Sequence, residues 1–121
     1  MLAQAHETAM LEGLELDAPI WVPGSMEKPL ALKRVLKRAT IVGAVTLGII
    51  ERGETAHGLV MAQAVIKSII DHQLETMKPV GIGILGPEIT QEQIQPRLEP
   101  YARNAVLAVS SMLRETNNFP L

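Results

Sequence analysis

Arg52, Gly53, Glu54, Thr55 and His57 crowd the joint where the apolar run TIVGAVTLGII (40 to 50) gives way to a helical pattern. A threonine at such a joint can cap the helix that follows, and the free N–H groups of residues 56 to 58 then form an anion site. His57 falls in the first turn, where the positive end of the helix dipole disfavours imidazolium and keeps the ring neutral as a proton acceptor. A plainer account of the same residues is also open: Thr55 as a structural cap, His57 as a surface residue, and Arg52 and Glu54 as a solvated loop pair.

Other chemistries find less support. The chain has no cysteine, which excludes disulfides, thiolate metal sites and cysteine nucleophiles. His6, His57 and His72 do not share a metal-ligand spacing, so no metal is expected. No serine sits in G-x-S-x-G. GIGILG (81 to 86) matches a dinucleotide fingerprint letter for letter. Its glycines nevertheless lie inside a strand pattern, and Pro87 and Glu88 follow where a helix should start, so it reads as a strand with small residues for close backbone packing. Aromatic residues make up only 2% of the chain, which leaves no base-stacking platform, and the net charge of −2 with no basic stripe argues against nucleic acid. The cluster KRVLKR (33 to 38) is the solvated face of a helix whose Leu32, Val35 and Leu36 turn inward.

The elements that must position these residues follow from periodicity. The spacing predicts helices over 2 to 14, 27 to 39, 55 to 77 and, interrupted by Pro96 and Pro100, 90 to 117. Strands are expected at 18 to 22 (APIWV), 40 to 48 and 79 to 85, with GPEIT a loop. Their alternation makes an α/β fold, a parallel sheet covered by helices, and 121 residues suffice for a single domain over 1 to 121. In such a sheet the ligand site lies at the carboxyl ends of the strands. The longest apolar run is too short to span a bilayer, and the N-terminus lacks a signal-peptide pattern, so a cytoplasmic protein without membrane contact is expected.

Taken in order, VPGSMEKPLA (22 to 31), GAVTLGIIERGETAHGLV (43 to 60) and KPVGIGILGPEITQEQIQPRLE (78 to 99) resemble the 6,7-dimethyl-8-ribityllumazine synthase family, with Gly-Pro after the third strand more similar to its archaeal branch. The resemblance implies a three-layer αβα domain on a flavodoxin-like parallel sheet of order 2-1-3-4. It implies an enzyme of riboflavin biosynthesis that condenses 5-amino-6-ribitylaminouracil with 3,4-dihydroxy-2-butanone 4-phosphate, releasing phosphate and water without a cofactor. By the same resemblance His57 moves the protons, while Glu54, Thr55 and Arg97 hold the phosphate. Ser25, Met26 and Glu27 hold the pyrimidine and ribityl chain, Ile49 and Ile50 line the uracil edge, and Ile82 takes a position where the family often has an aromatic. The resemblance further implies a pentamer-based homo-oligomer with sites between subunits. It also implies an additional strand, ending in an aromatic, ahead of residue 1 and between strands 18 to 22 and 40 to 48.

Two relatives of that reading share the fold. A non-catalytic assembly or shell protein would keep the self-associating surface and lose the pyrimidine pocket. The related archaeal riboflavin synthase would use two lumazine molecules, but the G-E-T-x-H string argues against it. An unrelated receiver or nucleotide-binding module has neither an acidic pocket nor a phosphate glycine loop to support it.

Overall fold

The protein was analysed as a computed structural model that describes residues 1–118; Phe119 lies outside them. Helix α1 (Leu2–Leu11) opens the chain and stops at Gly13, whose φ of 72° suits a residue without a Cβ. A 3₁₀ turn over Ser25–Glu27 leads into α2 (Lys28–Leu36), with Pro29 tolerated in its first turn because no helical N–H is needed there. Strand β1 (Ala44–Glu51), helix α3 (His57–Thr76) and strand β2 (Val80–Ile89) form a βαβ unit, and α4 (Gln91–Ile94), a 3₁₀ turn (Gln95–Arg97) and α5 (Leu98–Asn118) follow it.

β1 and β2 pair in parallel from Ala44 opposite Val80 to Ile49 opposite Leu85. Helices α2 and α3 pack on one face and α1 and α5 on the other, the three-layer arrangement expected of a flavodoxin-like fold. Alternation along the strands sorts the core into two clusters. Ile50, Val80 and Ile84 meet Leu32 and Leu36 of α2 and Ala62, Val65 and Ile69 of α3. Val45 and Leu47 face the opposite way, toward Ala5 and Ala9 of α1 and Val106 of α5. Each fully buried Leu, Ile or Val contributes about 1.5–3 kcal/mol.

Gly81 and Gly83 of GIGILG serve the second face, whereas Gly86 makes room for the Ile50 carbonyl of β1. A Cβ on Gly81 would run into the backbone carbonyl of Ala105, so α5 lies against bare strand backbone there. That is the close packing expected of the motif.

Several sequence expectations need correction. Residues 18 to 22 are not a strand: the chain from Leu14 to Val22 has no ladder partner among the described residues and leaves Trp21 80% exposed. β-propensity expresses itself only where a neighbouring strand supplies hydrogen bonds, and β1 is paired on one side only. β1 begins four residues later than the expected strand 40 to 48 and ends three residues later, at Glu51. GPEIT is not a free loop, because β2 continues through Gly86 to Ile89 across a bulge. Pro100 does not interrupt the last helix; it sits in the first turn of α5, where its missing N–H costs nothing.

Candidate active site at the carboxyl ends of the strands

β1 delivers its last residues to the start of α3 through an unpaired five-residue link. Residues 51 to 57 are all exposed. α3 starts tight against the strand end, since a Cβ on Gly58 would lie 3.3 Å from the Glu51 carbonyl oxygen. Thr55 is therefore one residue too early to be the cap, which is Ala56 with no side-chain bond. Its hydroxyl still accepts a hydrogen bond, from the His57 N–H at 3.3 Å. The first intrahelical bond runs from the Val60 N–H to the Ala56 carbonyl at 3.0 Å. The N–H groups of Gly58 and Leu59 are consequently unused by the helix at its start, of which His57 is the first residue.

Arg52 does not pair with Glu54. Its Nε lies 3.3 Å from Glu88 Oε2, and its backbone N–H donates to the Ile89 carbonyl at 3.0 Å, so the loop is fastened to the end of β2. Glu88 has a φ of 65°, uncommon for a residue with a Cβ and placed where the two strands end. Gln91 Nε2 donates to Glu51 Oε2 at 3.3 Å, adding α4 to the same rim. Thr90 caps α4 with a reciprocal box, its side chain taking the Gln93 N–H while Gln93 Oε1 takes the Thr90 N–H at 2.9 Å.

The 3₁₀ turn of Ser25, Met26 and Glu27 packs against α3 and so lies on the same face as the loop 52 to 56. Met26 is 57% exposed, and the Glu27 carboxylate folds back over Gly24. Of the strand-end pair, Ile50 is buried in the α2–α3 core, whereas Ile49 faces outward. Arg97 is exposed and its Nη1 donates to the Gln93 carbonyl at 2.9 Å, within its own turn. Ile82 stands apart. It is the third residue of β2, opposite Thr46, seven residues before the strand's end and thus roughly 20 Å from the loop. There it lines a shallow hollow with Tyr101, Asn104, Ala105 and Ala108.

The rim carries Ser25, Met26, Glu27, Glu54, Thr55 and His57, with Ile49 at the strand end; Ile50 is buried in the core beneath it, Arg97 is bonded within its own turn, and Ile82 lies outside. Two features of this rim escaped the sequence: the Arg52–Glu88 tie across the strand ends, and Lys28, whose ammonium lies against Gly48 of β1. Among the described residues no group of three His, Asp or Glu side chains could hold a metal, and no helix is long and apolar enough to cross a membrane.

Residues 1–117 match the family model of 6,7-dimethyl-8-ribityllumazine synthase. Proteins of that name from Staphylothermus marinus and Metallosphaera sedula are similar to the chain. The first is 38% identical over 118 residues, 98% of this chain and 79% of the relative. The second is 42% identical over 114 residues, 94% of this chain and 76% of the relative. A namesake from Saccharolobus solfataricus is 38% identical over 116 residues, covering 96% and 75%. A parallel flavodoxin-like sheet with its polar rim at the carboxyl ends and a match along nearly the whole chain lead to one conclusion: the chain belongs to the 6,7-dimethyl-8-ribityllumazine synthase family, transferases of riboflavin biosynthesis.

Proposed function

We propose that the protein condenses 5-amino-6-ribitylaminouracil with 3,4-dihydroxy-2-butanone 4-phosphate, releasing phosphate and water, at sites shared between subunits of a pentamer-based homo-oligomer. The observation that carries this reading is the start of α3, where the N–H groups of Gly58 and Leu59 are unused by the helix and His57 is the first helical residue. A phosphate dianion fits such donors, with Thr55 and Glu54 at its edge and Arg97 as the cation. His57 then relays protons: it takes one from the pyrimidine 5-amino group as that nitrogen adds to the ketone, returns it to the hydroxyl that leaves as water when the imine forms, and then takes one from the carbon whose deprotonation expels phosphate, passing it on to solvent. Ser25, Met26 and Glu27 hold the ribityl chain, with the Glu27 carboxylate accepting from its hydroxyls. Ile49 borders the uracil.

Self-association is supported by the apolar side chains left in solvent, among them Met10 at 73%, Leu11 at 76% and Trp21 at 80% exposure. The same surface also suits the second reading, an assembly protein without a pyrimidine pocket. A steady-state assay following lumazine absorbance on the wild type and His57→Ala separates the two. Turnover in the wild type, slowed about 100-fold or more in the mutant, is the expected result. A pentameric or larger mass with no turnover in either protein selects the assembly reading.

A further inference from the structure

Lys28 is placed where a cation is hard to justify by stability. It is the first residue of α2, at the positive end of that helix's dipole. Its side chain turns inward over β1, and a Cβ on Gly48 would lie 2.9 Å from its Nζ and 3.2 Å from its Cε, so the missing side chain of Gly48 is what makes room for the ammonium. No hydrogen bond or ion pair receives Nζ among the described residues. The adjacent Glu27 carboxylate folds the other way, over Gly24. Burial pushes the Lys28 ammonium below the usual lysine range, against the opposing pull of the Glu27 charge. An unpartnered, part-buried cation on the face that carries the rim is a group prepared for an electron-rich ligand atom.

Position decides which atom. Gly48 precedes Glu51, against which α3 begins, by three residues, or about 10 Å along the strand. Lys28 thus lies well below the phosphate donors, on the α2–α3 face of β1 and directly after the Ser25–Glu27 turn, whereas the neighbouring Ile49 points to the opposite face. We infer that Lys28 is a substrate-binding residue for the pyrimidine, its Nζ donating to a ring carbonyl oxygen from the depth of Gly48, and that it takes no part in holding phosphate. This rests on the proposed condensation and adds to it a residue that determines affinity for one substrate alone.

Two variants approach the contact from opposite sides. Lys28→Met keeps the stem and removes the charge; Gly48→Ala keeps the charge and puts a methyl group where Nζ lies. Both are measured in the full chain by steady-state kinetics in each substrate, and by calorimetric titration with 5-amino-6-ribitylaminouracil and, separately, with inorganic phosphate. The expected result is a rise of about 10-fold to 100-fold in KM and Kd for the pyrimidine in both variants. KM for the butanone phosphate and Kd for phosphate should stay within about twofold of the wild type, and Lys28→Arg should recover part of the loss. The melting temperature of Lys28→Met should not fall, since a desolvated, unpaired cation is being removed. Wild-type affinity for the pyrimidine in Lys28→Met overturns the inference and makes Lys28 a stem that covers apolar surface. Absence of turnover in the wild type, with pyrimidine binding intact and sensitive to Lys28, sinks the condensation reading and leaves the contact standing. Absence of pyrimidine binding in the wild type sinks both.

Discussion

At the amino end of the sheet, Lys78 Nζ donates to the carbonyls of Leu36 at 2.6 Å and Arg38 at 3.0 Å, and Gln73 Oε1 takes the Val80 N–H at 2.6 Å. At the carboxyl end the corresponding contacts, Arg52 to Glu88 and Gln91 to Glu51, are both 3.3 Å and stand in solvent. The first set ties α2, α3 and β2 together through backbone groups that would otherwise be orphaned. The second leaves donors, carboxylates and an imidazole available to a ligand. One sheet thus separates its duties along its length, with stability concentrated where the strands enter and chemistry where they leave.

That division makes ordered predictions. Gly81→Ala, near the entry of β2, should cost about 3 kcal/mol or more in urea unfolding, because its methyl meets the Ala105 backbone and not a side chain that can move. A loss below about 1 kcal/mol would show that α5 can slide away from the strand. Lys78→Met should cost about 2 kcal/mol, since it leaves the Leu36 carbonyl without a partner in a part-buried setting. Arg52→Ala, at the exit, should change stability by less than about 0.5 kcal/mol, its ion pair being largely exposed. An Arg52 effect as large as that of Lys78 would erase the contrast between the ends.

The sequence displayed the helices well because their burial stripes are local: Ala62, Val65 and Ile69 repeat at helical spacing and all are buried. It misread Ala18 to Val22 because a strand is a property of two segments, and the apolar pattern of Ile20 and Val22 says nothing of whether a neighbour is present. The pattern puts the cap at Thr55 where the structure has Ala56, because the chain bends at Glu54 and Thr55 in a way that composition does not specify. The stretch from Glu54 to His57 stands out in the sequence because its residue types can bind an anion or move a proton, although a cap and a solvated loop use the same residues. Lys28 was not, because its meaning depends on Gly48, twenty residues away and silent about what lies over it. Nor did the pattern reveal that Ile82 sits deep in β2, since register is fixed only by the pairing with β1.

The docking of α1 has a consequence for the order in which the molecule is made. Its buried residues pack chiefly on α5, and Glu12 Oε1 is held there by Ser110 at 2.8 Å and Arg114 at 3.0 Å. During synthesis these partners leave the ribosome nearly a hundred residues after α1, so the helix emerges with its apolar stripe unaccompanied. An isolated helix of ten residues is marginal in water. Helix α1 is therefore among the last elements to become ordered, and the time it spends waiting is set by the translation of everything between it and α5.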